Sequence, residues 1–327
     1  MMKLSTAAAR ILTVGVLMAF AGTAAAQRAY PNKPIRIIVT VAPGGSVDYL
    51  ARLVGQKLAE SWGQQVIVDN RPGGNNVIGS EALVRSPPDG YTIILVSTAH
   101  ATNPLLLPNL PYDTVKDFAP VASVSSSVFV LVLHPSVPAK NLRELIALAK
   151  SRPGQLNYSS AGSGTGNHLG AEFFNIVAGV KIQHIPYKGG GPAILNLIGG
   201  QVDLSFGSAV SVIPHINSGR LKAIAITGET RSSALPQVPT FTEAGLPGFD
   251  VKNWYGVLAP ARTPKAIIDM LSTEIARILT TPDVKEKLVS QGMEPLISNP
   301  DQFAALLKVE TARYAKIIKA ADIQPEK

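Results

Sequence analysis

Three times along this chain a short apolar stretch runs into a glycine-dense turn and then into a helix-forming segment. IRIIVTVAPGGSVD begins at Ile35, LNYSSAGSGTGNHLGAEFF at Leu156, and PYKGGGPAILNLIGG, after a short strand at 181–185, at Pro186. Repeated strand, turn and helix predict parallel sheets with helices on both faces. Glycine at such turns admits a ligand to the backbone without Cβ obstruction. The amides that open each helix face that ligand, with the positive end of the dipole behind them. A compact carboxylate suits the setting. Taken alone, the second turn also reads as a helix end capped by Ser163, Thr165 or Asn167 and open to solvent. The echo at Pro43-Gly44-Gly45-Ser46 favours a ligand.

The 327 residues suit two domains better than one core. Without cysteine there are no disulfides, thiolate metal sites, thiol nucleophiles or lipoprotein anchor. Residues 1–26 read as a cleavable export signal. Lys3 and Arg10 form its basic part, Ile11 to Ala21 its apolar part, and Ala24-Ala25-Ala26 the small-residue site before Gln27. That apolar run is too short to span a membrane, and no later stretch is long enough. Of the formal net charge of +8, Lys3 and Arg10 supply two units that leave with the signal. A basic surface suits anionic ligands, but the charges are scattered, with no aromatic-interleaved basic run of the kind nucleic acid requires.

The remaining pattern alternates. Strands are expected at 35–41, 65–68, 91–96, 128–133, 181–185, 202–206 and 221–227, with a further strand at 254–259 returning to an earlier sheet. Helices are expected at 49–61 and 141–151, and three amphipathic ones near 266–279, 282–291 and 300–321 close the chain. Residues 105–120 form a proline-rich excursion ending in the strand-like PVASV, and 231–249 a long irregular connector. Asp48 and Arg52, four apart, read as a helix salt bridge, with direct ligand contact by Asp48 the sharper alternative. Ser97-Thr98 stands at the carboxyl end of a strand, where open α/β sheets receive ligands. His100 reads as a rim histidine, because no second ligating side chain stands at metal spacing. Lys188 either faces an anionic ligand or lies on the surface.

Taken in order, PGGSVDYLAR, VDNRPGGNNVIGS, PPDGYTIIL, PYDTVKDFAPVA, SAGSGTGNHLGAEFF, HIPYKGGGPAILNLIGGQVDLSF, PHINSGRLKAIAIT, LPQVPTFTEAGLPGF and WYGVLAPARTP cover nearly all of the chain. They resemble the periplasmic solute receptors of tripartite tricarboxylate transporters, the Bug family. The resemblance implies a type II periplasmic-binding-protein fold: two α/β lobes with parallel-rich sheets, two interlobe crossovers and a hinge cleft. Residues 27–122 plus 249–327 would form the first lobe and 123–248 the second. It also implies that a small organic carboxylate or carboxamide is gripped mainly by backbone amides and waters from two facing turns, Pro43 to Asp48 and Ser160 to His168. The matching positions are Pro43, Gly44, Gly45, Ser46, Asp48, Thr98, Ser160, Ala161, Gly162, Gly164, Thr165, His168, Tyr187, Lys188 and Gly207. Two features depart from the family pattern. The turn after Gly73 reads GNN where smaller residues are usual, and Gly207 stands where many members carry an Asp, which argues for a ligand without an amino group. Tight aspartate or glutamate binding would refute that last inference. The implied partners are the membrane subunits of such a transporter, with a monomer in the periplasm, no cofactor, no metal and no nucleic acid.

An exported hydrolase is the alternative class. Ser163 in AGSGTG lacks the first glycine of a G-x-S-x-G elbow, because Ala161 holds that place. His168, five residues on in the same helix, is badly placed as a triad base. No G-x-x-x-x-G-K-[ST] loop occurs, and the G-x-G turn lacks the later glycine of a dinucleotide fingerprint. A ligand-loaded sensor for a membrane signalling partner is compatible with the same fold, since closed lobes present a surface that open lobes lack.

Overall fold

The computed structural model describes residues 30–249 and 251–324, so the expected export signal lies outside the described residues. In chain order the first elements are β1 (Ile35–Val39), α1 (Ser46–Trp62), β2 (Val66–Asn70), α2 (Val77–Val84), β3 (Thr92–Ser97), α3 (Ala99–Leu106) and β4 (Phe118–Leu133). There follow α4 (Leu142–Ser151), β5 (Asn157–Ser160), α5 (Gly166–Ala178), β6 (Gln183–Pro186), α6 (Gly190–Ile198), β7 (Leu204–Ser208), α7 (Ala209–Asn217) and β8 (Lys222–Ile226). The chain closes with β9 (Lys252–Pro260), α8 (Lys265–Thr280), α9 (Pro282–Ser290), β10 (Met293–Pro295) and α10 (Pro300–Ala320).

Two α/β lobes result. In the first, β1 lies parallel to β2 and β3, and β9 runs antiparallel to β3 and to the first half of β4. Both faces of that sheet are buried, because alternate residues of one strand enter different cores. Ile35, Ile37 and Val39 pack with Leu50 and Val54 of α1 and with Leu271 and Ile275 of α8. Ile38, between them, joins Leu83 of α2 and Phe303 and Tyr314 of α10 on the other side. The second sheet repeats the plan: β5 is parallel to β6 and β7, while β7 and β8 flank the second half of β4 antiparallel. Its faces are Leu131, Phe206 and Phe174 on one side and Val130, Val132, Leu197 and Val212 on the other.

β4 and α3 differ from the sequence-based expectation, and β10 was not expected at all. PVASV and VFVLVL are one strand, β4, because the serines between them stay paired: Ser125, Ser126 and Ser127 lie opposite Tyr255, Trp254 and Asn253 of β9 and also pair with β10. The Ser125 hydroxyl turns back onto the Glu294 carbonyl and that of Ser127 meets Tyr255, so a polar run passes through a buried ladder at little cost. The helix α3, Ala99–Leu106, was not expected, and it runs into the first two residues of the proline-rich excursion at 105–120. Pro104 lies inside α3 near its end, where the missing N–H removes one bond of a short helix.

Candidate ligand-binding cleft

Backbone meets backbone where the two sheets face each other. Ala42 N–H donates to the Lys188 carbonyl at 2.9 Å. A Cβ at Gly191 would stand 2.5 Å from the Pro43 carbonyl oxygen, and one at Gly189, where φ is +141°, 3.0 Å from the Ala42 nitrogen. Only glycine permits that approach. A second link joins Thr102 Oγ1 of α3 to the Gly164 carbonyl at 2.6 Å. The lobes are closed on each other.

Between them lies an inner cavity of about 50 Å³. The first turns of four helices border it: Ser46 and Val47 of α1, Gly166 and Asn167 of α5, Gly190 of α6, and Ser211 of α7 beside its N-cap Ser208. None of the four has a side-chain cap. Side-chain caps are within this chain's repertoire, since Asn141 caps α4 and Asn299 with Gln302 forms a capping box on α10. Each uncapped helix directs about half a positive charge and unsatisfied N–H groups at the cavity. Among the described residues no charged side chain borders it; Ser97, Ser205, Asn253 and Tyr255 stand in the wall beside these helix ends. The volume suits a carboxylate-sized group or a few waters.

The polar wall is oriented from behind. Thr98 Oγ1 donates to Asn253 Oδ1 at 2.7 Å, and Asn253 Nδ2 donates to the Tyr255 hydroxyl at 2.8 Å. Burial raises the Tyr255 pKa, and contacts with Ser127, Ser46 and Asn253 offset this only in part, so the phenol stays neutral. Ser46 Oγ is buried and forms no hydrogen bond of sound geometry, although it stands near enough to Tyr255 to act on its ionisation.

An outer cavity of about 500 Å³ adjoins the inner one and shares Ala161 and Thr165 with it. Thr40, the 73–77 turn, the 107–111 loop and Pro186 to Lys188 line it. Among the described residues Lys188 is its single charged lining residue. Gly74, Asn75 and Asn76 hold consecutive positive φ values of 53°, 51° and 74°.

The expected site residues divide into two groups. Gly45, Ser46, Ala161, Thr165 and Gly207 border the inner cavity; Ala161, Gly162, Thr165, Tyr187 and Lys188 border the outer one. Pro43, Gly44, Asp48, Thr98, Ser160, Gly164 and His168 border neither. Their work is to hold the turns. Burial raises the Asp48 carboxyl, but bonds from Arg52 (2.9 Å), Asn70 (3.0 Å) and the Gly44 N–H (3.3 Å) outweigh it and leave the pKa below the usual value. Ser160 Oγ is 2.6 Å from His184 Nε2 and accepts from the Gly162 N–H, while His168 Nδ1 accepts from the Gly164 N–H at 3.0 Å. The two imidazoles stack at 4.1 Å. Burial pushes His168 down to about 4; burial and then its neighbour His168 push His184 down to about 3. Both are neutral, as the N–H acceptor at His168 requires. Thr165 is the N-cap of α5, yet its hydroxyl turns to the Gly162 carbonyl and to Asn167 Oδ1, leaving the helix end free.

Sequence reasoning missed Ser205, Ser208, Ser211, Asn253 and Tyr255. SFGSAVS, from Ser205 to Ser211, is a fourth strand, small turn and helix, and would have been found by the same rule as the other three. Asn253 and Tyr255 were legible only as polar side chains set two apart in an otherwise apolar strand. The turn packed on Gly44 is Gly189 to Gly191, where the expectation named only Ser160 to His168 as its opposite.

The model of TctC, the tripartite tricarboxylate transporter family receptor, matches residues 50–323. The chain belongs to this receptor family. The receptor is 39% identical to BugT of Bordetella pertussis over 313 residues, covering 94% of this chain and 96% of BugT. Its fold superposes on that of R. palustris Rpa4515 with adipate at a TM-score of 0.89, with 34% identity, 91% of this chain and 100% of the other covered. MatC from Rhodopseudomonas palustris with bound malate gives a TM-score of 0.82 and 32% identity, covering 88% of this chain and 100% of MatC. Members of the family are solute-binding receptors and not enzymes.

Proposed function

We propose that this receptor captures a small organic carboxylate outside the cytoplasm and delivers it to the membrane subunits of a tripartite tricarboxylate-type transporter. Convergence of four uncapped helix N-termini on one cavity that no charged side chain borders among the described residues carries the reading. Such a site attracts an anion through fixed dipoles, and shutting it costs no buried counter-charge when ligand leaves. Adipate in Rpa4515 and malate in MatC support an organic acid as cargo. The first lobe is taken as residues 27–122 plus 249–327 and the second as 123–248, with the exchange of strand partners inside β4. Residues 1–26 act as the signal that sends the chain, as a monomer, to the periplasm. Gly45, Ser46, Ala161, Thr165 and Gly207 touch the carboxylate, and the seven residues that border neither cavity position the turns.

Thermal-shift screening against about a hundred organic acids, amides and amino acids tests this, because a ligand that binds only the folded state raises Tm. A saturable rise with a carboxylate is expected. A panel in which only amides shift Tm and no acid does, with no acid released on denaturing the purified protein, overturns it.

A further inference from the structure

Outside the cleft, the first lobe carries a groove that capture in the inner cavity does not use. It holds about 600 Å³ between α10, the start of α3 and the stretch at 114–120 that enters β4, and it shares no lining residue with either cleft cavity. Its origin lies in the small residues of α10. Phe303, Tyr314 and Ile318 of that helix enter the first-lobe core, but Ala304, Ala312 and Ala315 beside them do not fill the space above Ala101, Phe118 and Leu258. His100, 6% exposed, lies in the same floor. Its Nε2 donates to the Thr114 carbonyl at 3.1 Å, its ring meets Phe118 edge-on at 4.8 Å, and burial lowers its pKa to about 4. The floor is therefore apolar and uncharged.

Shape and charge identify the occupant. The α10 lining runs from Ala304 to Ala315, three turns or about 16 Å, so a groove of about 600 Å³ is about 7 Å across. A partner helix of that length, about 10 Å or more in diameter, needs about 1,250 Å³, twice the space present. An extended alkyl chain fits. Among the described residues no carboxylate lines the groove, and Lys308, exposed at its edge, forms no ion pair or hydrogen bond. The stem of such a lysine lies along an apolar wall while its ammonium meets an anion in water. Val115, 82% exposed, continues the apolar wall to the mouth, and contiguous apolar surface of this kind marks an interaction site.

We propose that this groove is a second ligand site, for a medium-chain alkyl carboxylate whose chain lies along α10 and whose head meets Lys308. It is separate from the capture reading and holds whether or not the cleft takes an organic acid.

Calorimetry with hexanoate, octanoate and decanoate, each below the concentration at which it forms micelles, tests the site. One molecule should bind, and each pair of added methylenes should tighten binding about tenfold. Lys308→Gln should weaken decanoate binding about 2- to 5-fold. Ala315→Leu, which keeps a good helix former while filling the groove, should weaken it about tenfold or more. Proton resonances of the His100 ring, assigned with His100→Gln, should shift as decanoate is added. Melting curves verify that the variants fold. Affinity that does not grow with chain length overturns the site. So does affinity unchanged in both Lys308→Gln and Ala315→Leu while the His100 resonances stay still, because decanoate is then held elsewhere.

Discussion

A single methyl at Gly191 should separate folding from capture. In the closed arrangement that Cβ would lie 2.5 Å from the Pro43 carbonyl oxygen, where ordinary contact begins near 3.4 Å. The turns must then stay about 1 Å further apart, because the obstacle is backbone and cannot rotate aside. Overpacking of this kind costs about 1–3 kcal/mol. That penalty falls on the closed arrangement alone, so Gly191→Ala should weaken carboxylate binding about 5- to 150-fold. Alanine is the better helix former by up to about 1 kcal/mol, so α6 and the ligand-free Tm should be unharmed or slightly improved. Isothermal titration of wild type and variant with the same acid measures the first effect, and X-ray scattering with and without ligand reports whether the lobes still close. Equal affinity in the two proteins would refute the argument that backbone contact at this point accompanies ligand capture.

Other consequences are open to direct measurement. Gly170→Ala in α5 meets only ordinary contacts, at 3.7 Å from Val251 and 3.8 Å from Phe206, and should add about 0.5–1 kcal/mol of stability; a lower Tm would contradict this. Gly256→Ala drives a Cβ to 2.1 Å from the Phe303 ring in the first-lobe core, and should cost about 1–3 kcal/mol in urea denaturation. Burial depresses the buried histidines His100 and His168 to about 4 and His184 to about 3. The unfolded chain binds their protons first. Stability should therefore be level above about pH 6.5 and fall as pH drops from there towards 4, at up to about 1.4 kcal/mol per pH unit for each histidine. Denaturation midpoints unchanged between pH 7 and 5 would show that these rings are not held neutral.

How much of this was legible depended on the kind of signal. The βα units from Ile35 to Ile226 were readable because strands buried on both faces are continuous apolar runs and glycines mark the turns between them. Closing helices were readable from their single apolar faces. Ser125 to Ser127 concealed the middle of β4, since three polar residues interrupt a hydrophobic pattern unless their partners across the sheet are known. At the cleft, the place of Gly45, Ser46, Ala161 and Thr165 beside the inner cavity was legible because glycine turns before helices announce themselves locally. Asn253, Tyr255 and Ser205 come from other strands and owe their place to sheet pairing, which leaves no local mark. His168 and Asp48 stand beside the turns, yet His168 bonds to the Gly164 N–H and Asp48 to Arg52, Asn70 and the Gly44 N–H; residue type alone does not tell support from contact.

β9 lies between β3 and β4, so the first sheet is interrupted until residues 252–260 arrive. The second sheet needs nothing beyond β8 except its share of β4, which precedes it. A chain emerging from its N-terminus can thus complete the inserted lobe while the enclosing one still waits for its central strand and for α8 and α10. Pairing Ile94 with Leu258 closes a loop spanning half the protein, which makes it a slow, late event. Capture competence, which requires both walls, is the last property the chain acquires, and a truncated chain ending before Lys252 would hold one finished wall with nothing to close against.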